Sequence, residues 1–202
     1  DLEYFNNLKK PMVLLDSYFR NQNYDYVLIN NRNAAYKAGV CLIKKGHQDI
    51  GYLHSSVYIN NFRDRKKGFL EALEENNIDF NEEYLFKVKS TMEGAYKDTK
   101  KLLKSKKNKL PTAFFADNDI IALGAIKAFK ERGIKIPEEI SIIGFDDMPF
   151  CEISDPRLST IKVFKEGMGK LAVKRLIEKI KDKNDIMQKI SVETRLIDRD
   201  SV

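Results

Sequence analysis

The chain has 202 residues, 43% hydrophobic and 33% charged, enough to bury a core and too apolar for a disordered tail. Its net charge of +6 is scattered along the chain rather than gathered with aromatics, which argues against a nucleic-acid face within it. No apolar run approaches the roughly 18 residues of a membrane span, and Asp1–Asn6 show neither the basic start nor the apolar stretch of a signal peptide.

Short β-rich runs alternate with longer amphipathic ones. Strands are predicted over Met12–Leu15 and Tyr26–Ile29, then a helix over Asn33–Lys45 stopped by Gly46. Strand Ile50–Leu53, helix Phe62–Asn76, strand Tyr84–Val88 and helix Met92–Ser105 follow. The basic run Lys104–Lys109 reads as a solvated helix end and loop before Pro111. Strand Thr112–Ala116 leads into helix Asp119–Arg132, stopped by Gly133. Strand Ile140–Phe145, strand Thr160–Phe164, helix Glu166–Lys181 and an alternating edge strand Ile190–Ile197 complete the chain. Helix starts carry the capping types Asn33 and Asp117–Asp119. The alternation predicts an α/β fold with parallel sheets flanked by helices.

In open parallel α/β sheets, ligands bind beyond the carboxyl ends of the strands. Here the strands hand over to Asp16, Asn30, Asp117-Asn118-Asp119 and Asp146-Asp147. Carboxylates accept hydroxyl or amine protons, and amides both donate and accept, which suits a small polar ligand. The same residue types also cap helices and form turns, the reading favoured for Asp117 and Asp119. For Asp16 and Asn118 the two readings balance, and Asp146 leans toward ligand binding. Arg65, near a helix start, adds a planar fork of donors or is simply a solvated basic residue.

No G-x-G-x-x-G, G-x-x-x-x-G-K-[ST] or G-x-S-x-G occurs. His47 and His54 lack partners at ligand spacing, and Cys41 and Cys151 read as buried packing residues in a reducing cytoplasm. No catalytic residue, metal or cofactor is therefore expected, and a binding module is expected rather than an enzyme.

The run Pro111–Ala125, PTAFFADNDIIALGA, and the run Arg132–Asp147, RGIKIPEEISIIGFDD, resemble two blocks of the lactose-repressor (LacI/GalR) family of transcription regulators. Lys45–Gly51, Arg65–Phe69 and Asp155–Ile161 are similar to further family segments, so the resemblance covers nearly the whole chain. It implies a two-lobed fold like that of periplasmic sugar-binding proteins, with residues 1–30 plus about 161–181 in the N-terminal lobe. Residues 31–160 plus about 182–202 would form the C-terminal lobe. It implies effector contacts at Asp16, Arg65, Asn118 and Asp146, with Asn30 where the family often has Asp or an aromatic. It also implies a DNA-binding head and further first-lobe βα units upstream of this chain, so operator DNA is met only through that absent head. Homodimerisation is implied too, for which Met92, Ile121, Phe150 and Ile153 are the candidate patch. Ser90 stands where the family often has a cleft aromatic, and Val163 where it can have Gln, so the effector is not inherited from any member. A sugar or derivative is the expected class. The alternative is a periplasmic-type sugar-binding transport protein, which the Gly144–Asp147 block disfavours. Asp146→Ala and Arg65→Ala are both expected to abolish effector binding and leave the fold intact.

Overall fold

A computed structural model describes residues 10–19, 24–105, 110–182 and 186–202 of the protein. The opening residues Asp1–Asn6 and positions 106–109 of the basic run lie outside the described residues. In chain order the elements are β1 (Val13–Leu15), β2 (Asp25–Ile29), α1 (Asn31–Lys44), β3 (Ile50–Ser55), α2 (Asn60–Glu75) and β4 (Leu85–Val88). They continue with α3 (Met92–Ser105), β5 (Ala113–Ala116), α4 (Asp119–Glu131), β6 (Ser141–Asp146) and β7 (Ser159–Lys162). The last are α5 (Lys165–Lys181), β8 (Lys189–Val192) and β9 (Arg195–Ile197). The predicted order holds, with most ends shifted by one or two residues. Because α1 starts at Asn31, Asn33 lies inside its first turn rather than at its cap.

The chain forms two compact units. The first holds the residues up to Asn30 together with Phe164–Glu193, and the second holds Asn31–Val163 and Thr194–Val202. In the first, β1, β2 and β8 form a three-stranded parallel sheet in the order β1-β2-β8, with α5 packed on β1 and β2. All five residues of β2 are buried, as expected of a central parallel strand. Asp25 opens β2 inside this unit, fully buried, and accepts from Arg175 Nε of α5 at 2.6 Å, from Lys179 Nζ, and from the Gln188 amide at 2.9 Å. Arg175 Nη2 also donates to the Ile186 carbonyl at 2.6 Å, so one ion network ties helix to sheet. α5 also exposes Val173, Ile177 and Ile180 at helical spacing, the first two lining a shallow groove of about 850 Å³.

In the second unit, six strands run in the order β4-β3-β5-β6-β7-β9, parallel except for the antiparallel β7–β9 pair. The strand period of two sorts the core onto two faces. Tyr52, Phe69 and Phe115 stack with centroids 5.1–5.6 Å apart on the face covered by α2. Phe114 meets Phe86 and Phe129 at 5.1 and 5.4 Å on the other, under α3 and α4. The α4 helix buries Ile121, Ala122, Ala125, Ile126 and Phe129 as one stripe. Ile121, expected on a dimer face, is therefore a fully buried core residue and cannot line a surface. Met92 (45% exposed) and Ile153 (85%) do reach the surface, while Phe150 packs partly against the core. The helix stops Gly46 and Gly133 adopt φ of +94° and +81°, the left-handed conformation that ends a helix at little cost in glycine.

The C-terminal stretch departs from expectation. Residues Ile190–Ile197 are two strands: β8 joins β2 in parallel in the first unit, and β9 joins β7 antiparallel in the second. Residues 182–202 thus do not go together. A period-two pattern reports which side chains are covered, not which strand covers them, so it runs through the change of partner unmarked.

Candidate functional site

Parallel pairing in register brings the carboxyl ends of β3, β5 and β6 side by side, Leu53 opposite Ala116 and Phe115 opposite Ile143. Beyond this edge lie Ser55, Asp117-Asn118-Asp119 and Asp146-Asp147. Each of the five acidic or amide residues there has a different task.

Asp117 is fully buried and accepts three bonds: Tyr52 Oη at 2.5 Å, the Ser55 amide at 2.6 Å and His54 Nδ1 at 2.7 Å. It is a fastener between β3 and β5 rather than a cap or a ligand group. Burial, then the Asp117 charge and bond, push the Tyr52 phenol well above its usual range, so it remains a donor. Asn118, in extended backbone, is the N-cap of α4, its Oδ1 accepting from the Ile121 amide at 2.9 Å. The cap engages the oxygen end of the side chain, so ligand contact, if made, falls to the amide nitrogen.

Asp119, expected as a cap or turn former, is neither. Its buried carboxylate accepts from Thr160 Oγ1 at 2.5 Å and from the Met148 amide at 2.8 Å. It therefore pins the turn that carries Asp146. A Cβ at Gly144 would come within 2.3 Å of Asp119 Oδ1, so the close approach requires glycine there. Burial raises the Asp119 carboxyl to about 6, opposed by the bonds from Thr160, Met148 and Cys151 and assisted by the Asp146 charge. The Cys151 thiol is pushed up by burial and by Asp119.

The raised value has a sign. The native state holds this proton more tightly than the unfolded chain, so the associated stability is full below pH 3.8 and is lost as pH rises through about 6. Relative to Asp119→Asn, which cannot titrate, the wild type should lose up to about 3 kcal/mol between pH 4 and pH 7. Urea unfolding of both proteins across that range reads the difference. Parallel curves would show that the proton is held no more tightly in the fold.

Asp146 and Asp147 share a turn but divide its work. Asp147 is nearly buried and satisfied by Arg199 Nη2 at 2.8 Å and Lys162 Nζ at 3.1 Å. Burial acts to raise its pKa, but these bonds outweigh it and hold the carboxyl below its ordinary value. Asp146 has φ of +110° and Asp147 +50°, conformations that side-chain-bearing residues rarely adopt and that concentrate at binding sites. Asp146 keeps 29% of its side chain exposed and faces Arg65 Nη2 at 3.7 Å, an ion pair too long for a direct hydrogen bond.

Arg65 is not a solvated helix start. Its side chain is only 4% exposed. Nε donates to Asn31 Oδ1 at 2.8 Å, Nη1 donates to the Asp117 carbonyl, and the guanidinium lies 3.5 Å from the centroid of the Phe145 ring. The fork is locked in place with its Nη2 edge turned toward Asp146. Asn31 and Phe145 build this site, and sequence reasoning missed both. Asn31 follows the strand-end Asn30, and Phe145 looked like ordinary strand core. Asn61 is buried one turn before Arg65, and the i, i+4 spacing that marks a shared helix face would have found it. The Ser90 hydroxyl bonds to that of Ser55.

Asp16 and Asn30 belong to the first unit. Asp16 follows β1, exposed and with φ of +56°, and its amide donates to the Val27 carbonyl at 2.9 Å. Asn30 Nδ2 donates to Glu193 Oε1 at 2.6 Å. The second unit brings together Arg65, Asp146 and their supports. Among the described residues no group of three or more His, Cys, Asp or Glu is placed to hold a metal ion, and no helix is long and apolar enough to cross a membrane.

A family model described as a periplasmic binding protein-like domain matches residues 41–202. The chain is 37% identical over all 202 residues to the HTH-type transcriptional repressor PurR of Photorhabdus laumondii, and 38% identical to that of Yersinia pestis. It spans 58% of the length of each. A solved LacI family transcriptional regulator from Enterococcus faecium, with bound ribose, is similar at a TM-score of 0.88 and 29% identity, covering 98% of this chain and 73% of that one.

Proposed function

Because the chain belongs to the periplasmic-binding-protein-like domains of LacI-family regulators, we propose that it is the effector-sensing part of a DNA-binding transcription regulator and takes a sugar or sugar derivative. The carrying observation is the Arg65–Asp146 pair: a locked cation and a part-exposed carboxylate, 3.7 Å apart, at the carboxyl ends of parallel strands. Adjacent hydroxyls on one ligand match it, one donating to Asp146 and its neighbour accepting from Arg65. A ligand with a single charge of either sign would satisfy one partner and repel the other. Asp16 and Asn30 enter the reading from the family resemblance alone, and Asn118 through its amide nitrogen. The relative solved with ribose supports the ligand class.

In this reading the protein is not an enzyme. Operator DNA is held by a head outside this chain, and the protein acts in the cytoplasm as a homodimer through the surface carrying Met92, Ile153 and the edge of Phe150. A ligand changes DNA binding only by its different affinity for two arrangements of the protein.

A thermal-shift screen of the full-length protein against sugars, phosphosugars, nucleobases and amino acids tests the ligand class. A ligand at about 100 times its Kd stabilises the native state by roughly 2.7 kcal/mol, a shift of a few degrees. A sugar hit is the expected result. A hit confined to nucleobases or amino acids would overturn the polyol assignment.

A further inference from the structure

We propose that the second unit carries a separate anion pocket for a phosphate-type dianion, on the flank of the sheet between α2 and the edge strand β4. The cavity measures about 280 Å³ and is lined by His54, Ser55, Ser56, Arg63, Lys66 and Lys87, with a rim of Val57, Tyr58, Ile59 and Phe62. Neither Arg65 nor Asp146 lines it, although Phe62 of its rim lies 5.5 Å from the Arg65 guanidinium, so the two sites are neighbours. Ile59, Phe62, Arg63 and Lys66 recur at helical spacing toward the cavity, whereas Asn61 and Arg65 lie on the neighbouring face of α2.

Three observations point to an anion. First, three cations and a histidine line the cavity and no Asp or Glu does, in a chain with 30 acidic residues. Arg63 leans on the part-exposed Asp64 at 3.1 Å, and Asp64 is not itself part of the lining.

Second, His54 is fixed in place on the cavity wall. Strand register sets it beside Lys87, its ring stacks on Tyr52 at 5.3 Å, and its Nδ1 is held by Asp117 at 2.7 Å. A ring fixed through Nδ1 presents its other nitrogen in a defined direction, the arrangement by which carboxylates orient histidines toward ligands.

Third, the charges of α2 run against its dipole. Arg63, Arg65, Lys66 and Lys67 outnumber the single acid Asp64 in the N-terminal half, Glu71, Glu74 and Glu75 hold the C-terminal half, and the first turn holds no acid. The dipole favours the reverse order. The N-cap is Ile59, extended and without a side-chain cap bond, and it lies on the cavity wall. An anion seated there offsets both the dipole and the clustered cations.

The volume falls at the lower end of small-molecule sites, so the ligand is phosphate or a phosphoryl group on a small organic body. Tyr58, 81% exposed at the mouth, offers a flat face to such a body.

The test titrates the full-length protein with inorganic phosphate and with glucose 6-phosphate, against sodium chloride at matched ionic strength. Wild type is compared with the Lys66→Gln/Lys87→Gln double variant and with Asp146→Asn. Phosphate should raise Tm beyond the chloride control, and its Kd should weaken about tenfold or more in the double variant while staying unchanged in Asp146→Asn. Glucose 6-phosphate binding more tightly than phosphate, again dependent on Lys66 and Lys87, would identify a phosphorylated metabolite; equal affinity would identify free phosphate. The proposal is overturned by a Tm response no larger than that to chloride, by an unchanged Kd in the double variant, or by loss of phosphate binding in Asp146→Asn, which would place the anion at the effector site.

Discussion

Asp25→Ala should destabilise the first unit by about 3–5 kcal/mol, the cost of stranding a buried charge. The guanidinium of Arg175 is 2% exposed and Asp25 is fully buried. Without Asp25, Arg175 and Lys179 face each other across an emptied site, and the Gln188 amide loses its acceptor. The network is a poor source of net stability, because two desolvated ions give up hydration before they attract each other. Hence Asp25→Leu combined with Arg175→Met should recover most of what Asp25→Ala loses. Amide exchange at Tyr26–Ile29 reads the effect locally. Burial works to raise the Asp25 pKa, but the bonds from Lys179, Arg175 and the Gln188 amide outweigh it and leave it lowered. Its stabilisation is therefore present above pH 3.8 and fades as acid takes the folded group through its lower value. Full protection of the β2 amides in Asp25→Ala would mean that packing alone holds this sheet.

Asp146→Ala should weaken effector binding by about 2–5 kcal/mol, roughly thirtyfold or more in Kd. Part of that is the lost hydroxyl acceptor, and part is Arg65, left charged and desolvated beside the ligand. Asp146→Asn separates the two: the amide tolerates the left-handed backbone and keeps the shape, so any loss reports the charge. Calorimetry with the effector found by the screen measures both. Wild-type affinity in Asp146→Ala would remove this residue from the site. Arg65→Ala, expected to be an equally clean probe, is not one. It breaks the bonds to Asn31 and to the Asp117 carbonyl and uncovers Phe145, so stability and binding fall together. Arg65→Lys retains the charge without the fork and is the better comparison.

The architecture was legible because each layer of the second unit is written locally. Ala113–Ala116 is apolar throughout, as a strand covered on both faces must be, and Gly46 and Gly133 punctuate their helices. The clustering of polar residues at the strand ends was legible for the same reason, since strand ends follow from strands. The division of labour within it was not. Asp117, Asn118 and Asp119 are consecutive polar residues with equal claim to a cap, and only the distant partners Tyr52, Ile121 and Thr160 decide which does what. Ile121 was a candidate for the dimer patch only through the resemblance, and the sequence does not say that its helix face meets the core instead. The β8–β9 break was hidden because neither strand pairs with a sequence neighbour.

The clamp on Asp147 sets an order of events during synthesis. Arg199, which holds the turn at Asp147, follows it by 52 residues, and Ser201 bridges the Ile142 carbonyl and the Ser159 amide. Between the turn and its clamp the ribosome makes α5 and β8, which belong to the other unit. At the roughly 5–20 residues per second of translation, β6 waits seconds with its turn unclamped. The second unit is therefore begun early and finished late. Until then the nascent chain carries its strands while the left-handed turn at Asp146–Asp147 still lacks the Arg199 clamp.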